Sequence, residues 1–322
     1  LMQQDMLYIY EVYREGSFSK AAQKLYVSQP TLSISIKKIE EHLGISLFER
    51  GSNPLRLTEA GSIYIEKIKK IMNIEEELYS EINDLSKLKT GHIRIGGTQY
   101  FNSYILPLAL QKFNLLYPGI TIELKEDNSA KISDLLLESS IDLMFSCNEI
   151  NDNEFTIKKV FRDELILGVP YSFSINKHLS EFALSKEMIV NDFYLSDNCP
   201  CVPIEKFKDI AFLLLTQENN LYHRAISICN NAGFSPIIKM HLDQLVTAFN
   251  LSCAGLGATF VSTLLAKNNL NSNNLIYYKI SSPLTTRYFN VITKKDKYVS
   301  NIVKKFIDII VNLYENTPNS GV

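Results

Sequence analysis

The sequence predicts a multi-domain protein with an all-α N-terminal domain, a long linker helix and a C-terminal α/β domain. Short helical segments separated by tight breaks fill residues 1 to about 57. Residues 58 to about 89 contain no proline, and their only glycine falls in the first turn, which favours one long helix. From residue 91 onward, apolar runs of strand length alternate with helical stretches, as in α/β folds. The predicted domains are therefore 1–57, 58–89 and 90–322.

Composition and charge narrow the class of protein. The chain has 322 residues, 46% hydrophobic and 21% charged, which suggests about two globular domains. No apolar run approaches the ~20 residues that cross a bilayer, and no signal peptide is visible at the N-terminus. Five cysteines, an odd number, fit reduced thiols in the cytoplasm. A net charge of −2 argues against a protein that binds nucleic acid through its overall charge. It does not exclude a local basic face that binds nucleic acid.

Capping residues and helical spacing predict a helix-turn-helix in the first domain. Ser19 can cap one helix and Ser28 the next. Pro30 falls in the first turn, where its missing N–H is not needed, and Gly44 ends the second helix. The inner face of this second helix carries apolar residues at steps of four, three and four: Leu32, Ile36, Ile39 and Leu43.

The outer face of the same helix is mainly polar. Its members are Gln29, Thr31, Ser33, Ile34, Ser35, Lys37 and Lys38. Between residues 19 and 39 there are four lysines and no acid, so the motif has a positive face suited to phosphates. The alternative is the solvated face of an ordinary helical hairpin.

A long ordered string of residues resembles the N-terminal winged helix-turn-helix of LysR-type transcriptional regulators. The matching positions are 17–22, 25, 27–33, 36, 39–40, 43–44, 47–50 and 57–61. The resemblance implies binding to double-stranded DNA, with the helix that begins at Ser28 in the major groove and a wing at 48–57 on the backbone or minor groove. The DNA contacts that it implies are Ser19, Lys20, Ser28, Gln29, Pro30, Thr31, Ser33, Ile34, Lys37, Lys38, Arg50 and Arg56.

The chain departs from the family at two positions of the reading helix. Ile34 and Ser35 stand where long polar residues, often Arg and Gln, are common in the family. An exposed aliphatic side chain such as that of Ile34 can meet a thymine methyl group, or it can be an exposed residue without a role. Base specificity therefore cannot be transferred from the family at these positions.

The second zone predicts a helix from Thr58 to about residue 88, with a narrow apolar stripe. The stripe consists of Tyr64, Ile68, Ile71, Leu78, Ile82 and Leu85. Such a long helix usually pairs, although packing on its own domain is the alternative. In the resembling family this linker helix pairs with its copy in a second subunit. The resemblance thus implies a homodimer that assembles to a homotetramer, with RNA polymerase as a further candidate partner.

The pattern of the third predicted domain, residues 90–322, indicates two α/β halves joined by two crossing segments. Strands at 92–97, 120–124 and 141–145 with intervening helices predict a parallel βαβαβ unit, and a similar but weaker pattern spans 212–262. The crossing segments lie near 161–170 and 277–293. The arrangement resembles the effector-binding domain of the same family, which has two Rossmann-like subdomains with a ligand cleft between them. Subdomain I is expected at about 91–164 and 267–322, and subdomain II at about 165–266.

Residues at or just after the carboxyl ends of the strands are candidates for the effector site. They are Thr98, Gln99, Asn128, Ser129, Phe145, Thr216 and Gln217. Helix N-termini at this edge would suit a carboxylate or another small anion, so we expect an effector that is small and anionic. Simple helix capping is the alternative for each Ser, Thr or Asn taken singly.

No enzyme signature is present: there is no Walker loop, dinucleotide glycine motif or nucleophile elbow, and the histidines lack metal spacing. No cofactor is therefore expected. Two alternatives to an effector-responsive regulator remain. A thiol-based redox regulator would use Cys199 and Cys201, with Cys147 or Cys229 as a third member. A solute-binding protein would explain the two α/β halves but not the N-terminal domain. The sequence names neither the effector nor the operator, and it does not say whether transcription rises or falls.

Overall fold

The computed structural model describes residues 4–49, 51, 55–84, 90–147, 153–270 and 274–315. The chain divides into two compact units, Leu1–Lys87 and Leu88–Val322, called here the N-terminal and C-terminal units. The predicted fold class, a helical helix-turn-helix domain followed by a mixed α/β domain, is confirmed.

Helices α1 (Gln4–Glu15), α2 (Phe18–Lys24), α3 (Gln29–Leu43) and α4 (Glu59–Asp84) form the N-terminal unit. Serine side chains cap two of them. Ser17 Oγ accepts a hydrogen bond from the first turn of α2, and Ser28 Oγ accepts one from the backbone N–H of Thr31. The cap of α2 is therefore Ser17 and not Ser19, which lies within the helix. Gly44 ends α3 in the left-handed conformation, with φ of 70°.

One apolar core joins the helices of the N-terminal unit. Its buried members include Ile9, Val12, Ala21, Leu32, Ile36, Leu47, Phe48, Ile65 and Ile68. Ile65 and Ile68 belong to α4, so the first half of this helix is part of the same core as the helix-turn-helix. Further along α4 the apolar side chains are exposed, which the packing of this unit alone does not explain.

The C-terminal unit alternates strands and helices. Its strands are β1 (Gly91–Gly97), β2 (Ile120–Glu126), β3 (Leu143–Ser146), β4 (Phe155–Pro170), β5 (Ala183–Leu184), β6 (Cys201–Val202), β7 (Ala211–Leu215), β8 (Ile237–Leu242), β9 (Thr259–Ser262), β10 (Leu275–Ile280) and β11 (Thr286–Lys294). Its helices are α5 (Leu106–Leu116), α6 (Ser129–Leu137), α7 (Ile175–His178), α8 (Lys186–Val190), α9 (Asn220–Asn231), α10 (Leu245–Cys253), α11 (Thr263–Asn268) and α12 (Asn301–Glu315).

Strand β4 runs through both halves of the C-terminal unit. Its residues 155–164 pair with β11, and β11, β3, β1 and β2 continue the sheet of the first half. Its residues 165–170 pair with β9 and β10, which belong to the second half together with β5, β6 and the parallel pair β7–β8. Because β1, β2 and β3 are parallel, their carboxyl ends lie at one edge of the first half.

The observed strands agree with most of the predicted ones, and two features of the C-terminal unit differ from the prediction. The parallel arrangement of β1, β2 and β3 is as predicted. Strand β10 pairs with β4 and β6, so residues 275–280 belong to the second half, beyond the boundary expected near 266. The segment 171–210, to which the sequence analysis assigned no element, contains α7, β5, α8 and β6.

Candidate functional site

The helix-turn-helix presents the outer face of α3 to solvent. Ser28 caps the helix and also contacts the Thr31 hydroxyl at 2.7 Å, while the buried Leu32 and Ile36 fix the opposite face to the core. Of the residues predicted to contact DNA, these are exposed: Ser19, Lys20, Ser28, Gln29, Pro30, Thr31, Ile34, Lys37, Lys38 and Arg56. Ser33 is half-buried, and its Oγ accepts a hydrogen bond from Gln29 Nε2 at 3.3 Å. Arg50 lies outside the described residues.

The positive charge of this face is smaller than a count of its lysines suggests. Lys24 forms ion pairs with Glu11 and Glu15 of α1 at 3.7 and 2.9 Å. Lys37 pairs with Glu41 on its own helix at 3.4 Å, an exposed contact that contributes little stability. Lys20 and Lys38 form no ion pair within the described part of the chain. These two lysines are the ones best placed to meet phosphate groups.

The wing predicted at 48–57 begins and ends in an antiparallel bridge between Phe48 and Leu57. The Glu49 N–H donates to the Arg56 carbonyl at 2.9 Å, so Arg56 is held at the base of the wing with its side chain exposed. The sequence analysis gave no role to Glu40 of α3, whose Oε1 accepts hydrogen bonds from the backbone N–H groups of Leu47 and Phe48 at 2.6 and 3.3 Å. This carboxylate fixes the wing relative to the reading helix.

Tyr26, in the turn between α2 and α3, is a second residue that the sequence analysis left without a role. It has a positive φ of 54° and is 96% exposed. Left-handed backbone costs an L-residue about 1–2 kcal/mol, and glycine is the usual choice there. A fully exposed tyrosine at such a position gains no packing energy in return. The same turn is adjacent to the predicted DNA-reading face.

A cavity of about 500 Å³ opens between the two halves of the C-terminal unit. It is lined by Thr98, Tyr100, Glu126, Asp127, Asn128, Ser129, Thr216, Glu218, Asn219, Asp243, Gln244 and Leu245. Four of the predicted effector residues, Thr98, Asn128, Ser129 and Thr216, are among them. The first three come from the carboxyl edge of β1 and the start of α6, and Thr216 follows β7 in the second half.

The other three predicted effector residues lie elsewhere. The ring of Phe145 is buried in the core, 5.9 Å from that of Phe101 and 6.4 Å from that of Phe306. Phe145 is therefore a core residue, because its side chain packs among buried apolar residues. Gln99 and Gln217 do not line the cavity.

Helix capping accounts for part of the polar lining. Asn128 Oδ1 accepts a hydrogen bond from the Lys131 N–H at 3.0 Å and caps α6. Asn219 Oδ1 does the same for the Leu221 N–H at 2.9 Å and caps α9. The capping alternative is thus correct for Asn128, although this residue also faces the cavity.

The charge of the cavity is opposite to the one that an anionic effector requires. Carboxylates contribute from both halves: Glu126 and Asp127 from the first, and Glu218 and Asp243 from the second. Among the described residues that line the cavity, none is Lys or Arg. The Lys131 ammonium lies 2.6 Å from Asp127, and this hydrogen bond, with the Asn128 N–H, holds the pKa of Asp127 below its usual value.

Behind the cavity, a buried polar network joins the two halves. The Tyr100 hydroxyl contacts Ser262 Oγ at 2.7 Å, and Ser262 Oγ donates to Asp163 Oδ1 at 2.8 Å. Arg287 Nε donates to Asp163 Oδ2 at 2.7 Å, and Arg287 Nη1 donates to Cys147 Sγ at 3.4 Å. Burial, and then the charge of Asp163, raise the pKa of Tyr100. An Asp within the apolar run of β4 was the available sequence signal for this network.

The cysteines offer little support for a thiol sensor. All five are free, and the Cys201 thiol donates to the Cys199 carbonyl at 3.4 Å. Burial raises the pKa of Cys199, and it raises that of Cys229 to about 12, so both thiols resist ionisation. The described residues contain no group of three or more His, Cys, Asp or Glu placed to hold a metal ion. Nor is any helix in the described part of the chain long and apolar enough to cross a membrane.

Comparison with protein families gives two matches that together span most of the chain. The family described as "Bacterial regulatory helix-turn-helix protein, lysR family" matches residues 3–62. The family described as "LysR substrate binding domain" matches residues 86–314. The first match accounts for the N-terminal unit, which a solute-binding protein would leave unexplained.

Individual relatives cover nearly the whole chain. An uncharacterized HTH-type transcriptional regulator of Bacillus subtilis (strain 168), YcgK, is 27% identical over 317 residues, which is 98% of this chain and 96% of YcgK. A probable RuBisCO transcriptional regulator of Trieres chinensis is 29% identical, with 95% and 94% covered.

Two solved structures share the fold. Full-length CbnR in complex with its target DNA superposes with a TM-score of 0.65 at 19% identity, covering 96% of this chain and 98% of CbnR. A full-length OxyR variant from Pseudomonas aeruginosa gives a TM-score of 0.66 at 18% identity, with 98% and 94% covered.

Proposed function

The chain belongs to the LysR family of transcriptional regulators, and we propose that it reads operator DNA with the outer face of α3 and responds to a small molecule bound in the cavity of its C-terminal unit. As a LysR-type regulator it binds DNA through its helix-turn-helix and carries an effector-binding domain. What we propose is which residues perform these two tasks.

The observation that carries the DNA-reading proposal is the exposed polar face of α3, fixed on its other side by the core. Gln29 and Ser33 are hydrogen-bonded to each other, so the Gln29 amide is held at the surface where it can meet a base edge. Ile34 is 55% exposed and can contact a thymine methyl group. CbnR, which shares the fold, has been solved with its target DNA.

Contacts to the DNA backbone come from residues around this face. We assign phosphate contacts to Lys20 and Lys38, and backbone or minor-groove contacts to Arg56 of the wing, together with Arg50. Such contacts fix the position of the protein on DNA without carrying sequence information. Glu40 keeps the wing and α3 in register, so it acts as a positioning residue.

A second copy of the chain is the partner that we propose for the exposed half of α4. Ile71, Ile74, Leu78 and Ile82 are 39%, 66%, 46% and 53% exposed, at steps of three, four and four along the helix. These steps keep the four side chains on one face of the helix, as pairing with a second helix requires. A dimer built on this face carries two reading helices, as a palindromic operator requires, and further assembly to a tetramer would involve the C-terminal units.

In the effector cavity we propose Thr98, Asn128, Ser129 and Thr216 as direct contacts. Thr98 follows β1 next to Gly97, and a Cβ at position 97 would lie 2.8 Å from Asn102 Oδ1, so a larger residue there would require the Asn102 side chain to move. We also propose that the protein lies in the cytoplasm, where operator DNA is found, and that it contacts RNA polymerase. We assign no catalytic role to any residue.

Selection of DNA from a random-sequence library by the full-length chain tests the DNA-reading proposal. We expect a palindromic sequence to be enriched. Gln29→Ala and Ser33→Ala should change the selected bases, at about 1–3 kcal/mol per lost base contact. Lys206→Ala, an exposed lysine of the C-terminal unit, is the matched control and should leave the selected sequence unchanged. Unchanged selection in both α3 variants contradicts the proposal.

A further inference from the structure

Acidic side chains from both halves of the C-terminal unit face the same cavity. Glu126 ends β2 and Asp127 follows it, just before α6, while Glu218 precedes α9 and Asp243 precedes α10. The family match assigns ligand binding to this domain, and the inference rests on the proposed function, in which the ligand binds in this cavity. The lining then indicates which charge the ligand carries.

Among the described residues, three of these four carboxylates have no cationic partner. Asp127 is paired with Lys131 at 2.6 Å. Glu126 accepts a hydrogen bond from a neutral amide, Asn102 Nδ2, at 3.2 Å. Within the described part of the chain, neither Glu218 nor Asp243 forms an ion pair. Like charges on the two walls repel one another, so approach of the walls is unfavourable until a cation lies between them.

The helix N-termini at this cavity already have carboxylates beside them. Each of α6, α9 and α10 begins two residues after an acid, which places a negative group beside its positive end. In α6 and α9, the Asn128 and Asn219 side chains already accept hydrogen bonds from the first-turn N–H groups. The positive ends of these helices are thus already matched by fixed carboxylates, which disfavours a further anion.

We infer that the effector is a small organic cation, held by its ammonium or amidinium groups between Glu126 of the first half and Glu218 and Asp243 of the second. Its positive charge neutralises the two walls together, so binding favours their approach. The anionic effector expected from the helix N-termini alone is replaced by a ligand of opposite charge.

Thermal unfolding of the full-length chain with two probes of equal length and opposite charge tests the inference. The probes are 1,4-diaminobutane and succinate, each at millimolar concentration and constant ionic strength. We expect the diamine to raise the melting temperature and succinate to leave it unchanged. In the double variant Glu218→Gln, Asp243→Asn, affinity for the diamine measured by calorimetry should fall at least about tenfold, since charge-assisted hydrogen bonds are lost.

The matched control carries the same two chemical changes away from the cavity. Glu205→Gln with Asp209→Asn alters two exposed acids outside the lining and should keep wild-type affinity for the diamine. The inference is overturned if the diamine gives no shift, if succinate gives the larger shift, or if both double variants lose affinity equally. DNA selection by the same preparations is independent of the probes. If the protein selects DNA but is stabilised by succinate, the proposed function stands. Only the inferred positive charge of the effector is then contradicted.

Discussion

Asp163 balances the charge at the polar centre of the C-terminal unit, and its replacement by Asn should cost far more stability than a surface substitution. The residue is 2% exposed, and its carboxylate accepts hydrogen bonds from Arg287 Nε, Ser262 Oγ and Thr263 Oγ1 at 2.7, 2.8 and 3.1 Å. Asp163→Asn leaves the guanidinium of Arg287, itself 6% exposed, without a counter-charge. Breaking one partner of a buried ion pair typically costs about 3–5 kcal/mol. We expect the free energy of unfolding of this unit to fall by that amount.

Urea unfolding followed by circular dichroism measures the loss. Glu123→Gln is the control, because Glu123 pairs with Lys125 at the surface, where an ion pair contributes about 0–1 kcal/mol. The double variant Asp163→Asn, Arg287→Met removes the unbalanced charge as well and should recover part of the loss. A loss below about 1 kcal/mol for Asp163→Asn, or no recovery in the double variant, would refute the charge balance that we assign to this pair.

Three further predictions concern the turn, the linker helix and a second ion pair. Tyr26→Gly should stabilise the N-terminal unit by about 1 kcal/mol in thermal unfolding, because it relieves left-handed backbone and removes only an exposed ring; a destabilised variant would show that the ring packs. Ile71→Glu with Leu78→Glu should dissociate the dimer in sedimentation velocity, and a wild-type monomer at micromolar concentration would contradict the α4 pairing. Burial opposes the charge of Asp142, but hydrogen bonds and charge from Arg94 outweigh it and hold the pKa of Asp142 below its usual value. This carboxylate therefore stabilises the fold above the unfolded-state pKa of about 3.9, and the contribution is lost as pH falls through the lower native pKa. In Asp142→Asn, the free energy of unfolding should therefore decrease less steeply as the pH is lowered below about 4. An equally steep decrease in wild type and variant would contradict this role of Asp142.

Local signals predicted the reading helix and several strands well. Ser28, Pro30 and Gly44 act through the backbone of their own helix, so the sequence placed α3 within a residue of its observed ends. Strand β1, Gly91–Gly97, begins within one residue of its predicted start and ends where it was predicted. The cap of α2 was misplaced from Ser17 to Ser19, because the two serines are equivalent in pattern. In the structure α2 begins at Phe18, whose ring packs 5.7 Å from that of Phe48.

Features that depend on distant residues could not be predicted. Asp163 and Arg287 are 124 positions apart and meet only because β4 and β11 pair. Phe145 was expected in the cleft because it ends a strand, but which face of a strand is buried depends on the layer packed against it. The two-residue strands β5 and β6 carry no periodicity of their own, and they exist because β10 offers its edges to them.

The charge of the cavity also depends on residues that are far apart in the sequence. Each acid was visible in the sequence, but Glu126 and Asp127 are about 90 residues before Glu218 and more than 110 before Asp243. Only the pairing of strands brings these two groups to one cavity. The helix N-termini alone suggested an anion, and the acidic lining became visible only with the fold.

The salt dependence of DNA binding tests the central claim, that the outer face of α3 and its neighbouring lysines contact DNA, most directly. Fluorescence anisotropy with the selected operator gives the slope of log affinity against log salt concentration. Lys20→Ala and Lys38→Ala should each reduce this slope by about 0.9 and weaken binding to all sequences by a similar factor, as the loss of one phosphate contact requires. Lys206→Ala should keep the wild-type slope. Wild-type slopes in both the Lys20 and the Lys38 variants would contradict the assignment of this face as the DNA contact surface.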